Sequence, residues 1–134
     1  MTDQKKTYYE REVERVFIEN PLQRYHYVQI RQSKAFMDEY YSGRIDLKDM
    51  AAKASMSRFH FIRIFQRIYG VTPRQYLRDI RISKAKELLK DGSSVTQTCF
   101  EVGYESITTF SSAFKRGTGY TPKKYQMMNI RNPE

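Results

Sequence analysis

One phrase occurs twice in this chain, and it constrains the fold more than any other feature. Phe65-Gln66-Arg67-Ile68-Tyr69-Gly70-Val71-Thr72-Pro73-Arg74-Gln75-Tyr76 and Phe114-Lys115-Arg116-Gly117-Thr118-Gly119-Tyr120-Thr121-Pro122-Lys123-Lys124-Tyr125 both read F-x4-G-x-T-P-x2-Y, 49 positions apart. The likeness extends upstream, where 51–57 aligns with 99–106 once an extra residue is allowed near Glu105. A repeat in register marks a repeated structural unit. In each copy an apolar periodic segment runs into a Gly suited to a left-handed helix stop. A Thr-Pro pair then fits the N-cap and first turn of the next helix. Each copy predicts helix, tight stop, helix.

The length of 134 residues allows one domain, or two small subdomains sharing a core, and 40% apolar residues suffice for globular packing. The lone Cys99 excludes an internal disulfide, and no metal-ligand cluster accompanies it. No apolar run approaches a membrane span, and the polar N-terminus lacks a secretory core. The expectation is a soluble cytoplasmic protein with no membrane partner, cofactor or metal. Charge is unevenly placed. Residues 1–43 hold seven Lys/Arg and seven Asp/Glu, whereas 44–134 hold seventeen and eight, so the whole net charge of +9 lies in the repeated region. A positive balance confined there points to a polyanion partner, although a solvated basic surface has the same composition.

In chain order, residues 1–6 are polar and carry no packing signal. A short helix over 8–18 places Tyr9, Val13, Val16 and Phe17 on one face, and Asn20-Pro21 ends it. A second helix over 28–41 offers Ile30, Ala35, Phe36, Met37 and Tyr40 for burial, with Gly43 as its stop. Asp46 then caps a helix over 47–54 with a stripe of Leu47, Met50, Ala51 and Ala54. Ser55-Met56 makes the turn, and Ser57 caps a helix over 58–69 whose inner stripe is Phe61, Ile64, Phe65 and Ile68. The outer face of that helix carries Arg58, Phe59, Ile62, Arg63, Gln66 and Arg67. Ile and Phe beside guanidinium groups suit thymine methyls next to hydrogen-bonded bases better than they suit solvent.

Thr72 and Gln75 make a capping box that opens the longest helix, 73–90, with Tyr76, Leu77, Ile80, Ala85, Leu88 and Leu89 for burial. Asp91-Gly92 ends it. Ser94 with Gln97 predicts a further box and a helix over 95–102. The turn at 103–105 and the cap Ser106 lead into a helix over 107–116 with Phe110, Ala113 and Phe114 inside, and Thr121-Pro122 starts a last helix to about 128. No strand alternation appears, so the chain is expected to be all-α. Two short helices joined by a tight turn, twice, on a basic chain, make a pair of helix-turn-helix units. The 18-residue connecting helix is about 27 Å long, near the roughly 34 Å between successive major-groove faces.

The run 50–65 with Gly70-Val71-Thr72-Pro73 and Tyr76 resembles the first half of the AraC/XylS-type DNA-binding domain. The second half of that signature is more specific. It is resembled by Cys99-Phe100-Glu101-Val102-Gly103-Tyr104-Glu105-Ser106, Phe110, Phe114-Lys115, Gly119-Tyr120-Thr121-Pro122 and Tyr125. The resemblance covers about 29–128: a first unit at 29–72, a linker helix at 73–90 and a second unit at 94–128, flanked by an extension at 1–28 and a tail at 129–134. It implies a seven-helix, bacterial, nucleoid-associated transcription regulator whose third and sixth helices, 58–69 and 107–116, enter adjacent major-groove segments of double-stranded DNA. Activation through RNA polymerase is the usual outcome in that family. Carried over, the base-facing residues are Phe59, Ile62, Arg63 and Gln66 in the first unit and Ile107, Thr108, Thr109, Ser111 and Ser112 in the second. Ser57, Arg58, Arg67, Ser106, Lys115 and Arg116 fall where phosphates would lie.

Two departures shape the expectation. Many members carry a sensing domain upstream, and 28 residues cannot form one. The chain therefore resembles the stand-alone members, or the excised end of a longer, ligand-regulated protein. Ser112 stands where relatives often have Arg, so the second unit is expected to read bases weakly. Cys99 matches a small buried family position and is expected to pack. His60 is expected at the surface or beside a phosphate, and His26 has no partner at metal or triad spacing. No constellation of nucleophile, base and oxyanion donors supports an enzyme. Use of the scaffold for protein–protein contacts is the remaining alternative. The oligomeric state stays open, and a monomer is compatible.

Overall fold

A computed structural model describes residues 22–130 together with Arg11. Seven helices follow in order: α1 (Arg24–Tyr40), α2 (Leu47–Lys53), α3 (Arg58–Tyr69), α4 (Pro73–Lys90), α5 (Val95–Glu101), α6 (Ile107–Thr118) and α7 (Pro122–Asn129). The described residues contain no strand, and the all-α expectation holds. Of the helix expected over 8–18 only Arg11 is described, and it is helical. The rest lies outside the described residues.

The helix ends are set by local chemistry. Asp46 and Asp49 cap α2 reciprocally, each carboxylate accepting from the other's backbone N–H at 2.9–3.0 Å. Ser57 Oγ accepts from His60 N–H at 3.3 Å, Thr72 Oγ1 from Gln75 N–H at 3.2 Å, Ser106 Oγ from Thr109 N–H at 3.2 Å and Thr121 Oγ1 from Lys124 N–H at 3.2 Å. Each such cap is worth about 1 kcal/mol. Gly70 and Gly119 end α3 and α6 at φ +80° and +86°, a left-handed conformation that strains any residue carrying a Cβ. At Ser94 only half of the expected box forms, with Gln97 N–H donating to Ser94 Oγ at 3.0 Å. α6 runs to Thr118, two residues beyond expectation, because the left-handed stop at Gly119 comes only then.

Two apolar clusters form. The first joins Ile30 and Met37 of α1 to Met50, Ala51 and Ala54, to Phe61, Ile64 and Phe65 of α3, and to Leu77 of α4. The second joins Ile82, Ala85 and Leu89 of α4 to Cys99 and Val102 and to Phe110, Ala113 and Phe114 of α6. The repeated Phe and Tyr explain each other: Phe65 meets Tyr76 edge-on at 5.8 Å between ring centroids, and Phe114 meets Tyr125 likewise at 5.3 Å. The motif thus pins each outward helix to the helix after its Gly stop. Cys99 is fully buried, as expected of a packing residue, and burial raises its thiol pKa.

α1 corrects two expectations. It begins at Arg24, four residues before the expected start, with Gln23 N–H donating to the His26 ring at 3.0 Å. Its buried face is Ile30, Ser33 and Met37, while Ala35 and Tyr40 point to solvent. The polar Ser33 is tolerated inside because its hydroxyl donates to Met50 O at 2.8 Å. Ser33→Ala is expected to lower stability by about 1–2 kcal/mol, since it strands that carbonyl; urea denaturation checks it, and an unchanged midpoint contradicts it. On α4, Ile82 is buried although absent from the expected stripe, and Ile80 and Leu88 are only half-buried.

Candidate nucleic-acid interface

Burial of Phe61, Ile64 and Phe65 turns the opposite face of α3 outward. There Phe59 is 84% exposed, an unusual cost for a large apolar ring. Ser57, Arg58, Arg63 and Gln66 are also exposed, while Arg67 is half-buried. Ile62 is half-buried, bordering a hollow with Leu47, Thr72 and Pro73. Burial of Phe110, Ala113 and Phe114 does the same for α6, leaving Ser106, Ile107, Thr108, Thr109, Ser112, Lys115 and Arg116 exposed and Ser111 half-buried. The structure therefore gives each expected surface residue a place on or beside an outward helix, with Ile62, Arg67 and Ser111 the least open.

The two faces differ chemically. α3 offers long donors, with Arg63 Nη2 lying 3.4 Å from His60 Nδ1. α6 offers hydroxyls and one Ile near its N-terminus, and its cations, Lys115 and Arg116, sit in its last turn. His60 is half-buried and its ring meets His26 edge-on at 5.5 Å, a contact between α1 and α3 that the sequence does not reveal. Burial, then the neighbouring His60 and Arg67, lowers the pKa of His26. Among the described residues no group of three or more His, Cys, Asp or Glu is placed to hold a metal, and no helix is long and apolar enough to cross a membrane.

The units meet at residues that sequence reasoning left unassigned. Arg81, midway along α4, donates from Nε to Tyr41 O at 2.8 Å and from Nη2 to Gly43 O at 3.0 Å, both in the loop after α1. Its guanidinium lies 5.5 Å from the Tyr104 ring centroid in the second unit, and burial lowers its pKa. At the rim, Arg44 pairs with Glu105 across the seam. These contacts join residues 23 to 61 positions apart, so no local pattern could have shown them.

Two matched helix-turn-helix units on one connecting helix define a bipartite helix-turn-helix domain. Residues 50–128 match the helix-turn-helix domain family, and the chain belongs to that family, in its AraC/XylS-type branch of DNA-binding transcription regulators. It is 34% identical over 101 residues to the uncharacterised HTH-type transcriptional regulator YdeC of Bacillus subtilis, an overlap of 75% of this chain and 35% of that protein. The chain thus spans about a third of that relative's length. Among solved structures, the DNA-binding domain of the global transcriptional factor AdpA, in complex with a target DNA, superposes with a TM-score of 0.69 at 30% identity, over 74% of this chain and 90% of that one. The C-terminal domain of AraT, a response regulator from Geobacillus stearothermophilus, shares the fold, with a TM-score of 0.74 at 24% identity over 78% and 88% of the chains.

Proposed function

We propose that this chain binds double-stranded DNA sequence-specifically and regulates transcription in the bacterial cytoplasm, with no catalytic role. Its bipartite module spans about 29–128, and α3 and α6 enter adjacent major-groove segments. The observation that carries this is the pair of capped outward helices held on one 18-residue strut; the likeness to a domain solved on its target DNA supports it. Phe59, Ile62, Arg63 and Gln66 read bases from α3; Ile107, Thr108, Thr109, Ser111 and Ser112 do so from α6. Hydrogen bonds from Arg63 and Gln66 and methyl contacts from Phe59, Ile62 and Ile107 are the chemistry available. Ser57, Arg58, Arg67, Ser106, Lys115 and Arg116 meet phosphates and set register. Activation through RNA polymerase follows the family habit, and a promoter reporter with and without the protein reads its sign.

The test is ionic strength. Each phosphate neutralised adds about 0.9 to the slope of log K against log salt, so Arg58, Arg67, Lys115 and Arg116 together predict a slope of roughly −3.5. A fluorescence-anisotropy titration between low and physiological salt measures it. A flat titration would remove the nucleic-acid reading.

A further inference from the structure

We propose that Arg81 is a positioning residue that fixes the phase between the two reading helices and thereby dictates the half-site spacing; this rests on the proposed function. The two apolar clusters share no buried residue along α4: the first ends at Leu77 and the second begins at Ile82. Arg81 lies at that seam, and its donors leave its own helix. One edge of the guanidinium is bonded to two carbonyls of the first unit. Its Cζ lies over the ring of Tyr104 in the second unit, 5.5 Å from the centroid, and that ring in turn packs against Phe110 of α6 at 5.5 Å. A planar, forked group is suited to hold two partners at once in a fixed relative orientation, which a Lys ammonium is not.

Gly103 shows how closely the two units approach. At φ +106° it forms the turn before α6, and a Cβ there would come within 2.9 Å of Tyr41 O and 3.0 Å of Arg81 Nε. The matching turn of the first unit uses Ser55, exposed and at φ +56°. The Arg44–Glu105 pair closes the same seam at the surface. A reader built this way cannot follow its target when the halves move. Shifting one half-site by a base pair displaces it by about 3.4 Å and rotates it by roughly 35° around the duplex.

The experiment measures binding to duplexes carrying the two-part consensus selected by the wild-type protein, with the second half moved by one or two base pairs either way. Wild type is expected to lose about tenfold for a one-base-pair shift. Arg81→Met is expected to bind shifted and unshifted duplexes within about threefold of each other, with unchanged affinity for a duplex holding the first half alone. The wild-type spacing penalty in a folded Arg81→Met, or no spacing penalty in a wild type that binds, overturns the proposal. If Arg81→Met does not fold, Arg81→Lys and the surface pair Arg44→Ala/Glu105→Ala are read the same way. A wild-type penalty in both overturns it too. Residual dipolar couplings on the free protein read the clamp without DNA. Both units should share one alignment tensor in wild type and need two in the variant, and one shared tensor in the variant sinks the clamp whatever happens to the DNA reading.

Discussion

Phe65→Ala is expected to remove about 3–5 kcal/mol of stability, a large fraction of what a domain of this size has to lose. The ring is fully buried and touches three others, Phe61 at 5.6 Å, Tyr69 at 4.9 Å and Tyr76 at 5.8 Å between centroids. Two of these lie on α3 and one on α4, so the deletion both opens a cavity and unfastens the first outward helix from the strut. Tyr76 would lose its edge contact while still donating to Asp38 at 2.6 Å, and that tie to α1 keeps it from collapsing into the gap. Incomplete collapse puts the cost at the upper end of the range. Guanidinium denaturation measures it from the shift in midpoint at constant slope. A loss below about 1 kcal/mol would mean that the repeated Phe does not hold the unit together.

Arg63→Ala is expected to act on recognition and leave folding alone. The side chain is exposed, with Nη2 3.4 Å from His60 Nδ1. A forked Arg–guanine pair is worth roughly 1–3 kcal/mol of discrimination, or about 5- to 150-fold in relative affinity. The loss should therefore fall on the consensus duplex and vanish on a duplex already changed at the one base pair that Arg63 reads. Arg67→Ala, in the last turn of the same helix, is expected to weaken all sequences alike, as a phosphate contact does. Affinities of both variants across single-base-pair substitutions of the site separate the two roles. Equal, sequence-blind losses from both would contradict the assignment.

What could be read from the sequence was what is decided locally. α4 begins at Pro73 and ends at Lys90 as expected, because Thr72, Pro73 and Gln75 set one end and Asp91-Gly92 the other within a few residues. Gly70 and Gly119 stop their helices for the same reason. α1 was less legible, since its buried stripe includes Ser33, which looks polar until Met50 O is brought to it by a contact 17 residues away. Tyr40 looks apolar and is 53% exposed, its ring resting against Phe36 of the same helix at 5.3 Å. In the candidate site, the outward faces of α3 and α6 followed directly from the inner stripes, whereas Arg81, Gly103 and the His26–His60 contact depend on how distant segments meet. The Phe–Tyr pairs fall between: the repeat flagged both residues, and only the packing explains why they recur together.

Selection of binding sites from random duplexes bears most directly on the central claim, that two outward helices on one strut read DNA sequence. The two faces predict an unequal result. Arg63 and Gln66 can each make two bonds to one base, while the hydroxyls of α6 make single bonds and Ile107 offers only a methyl contact. α6 should therefore depend on thymine methyls and on DNA shape. The expected consensus has one sharply defined half-site, with a weaker, A/T-leaning one about one helical turn away. Recovery of no enriched sequence would contradict the claim itself, and two equally sharp, guanine-containing halves would contradict the division of labour between α3 and α6.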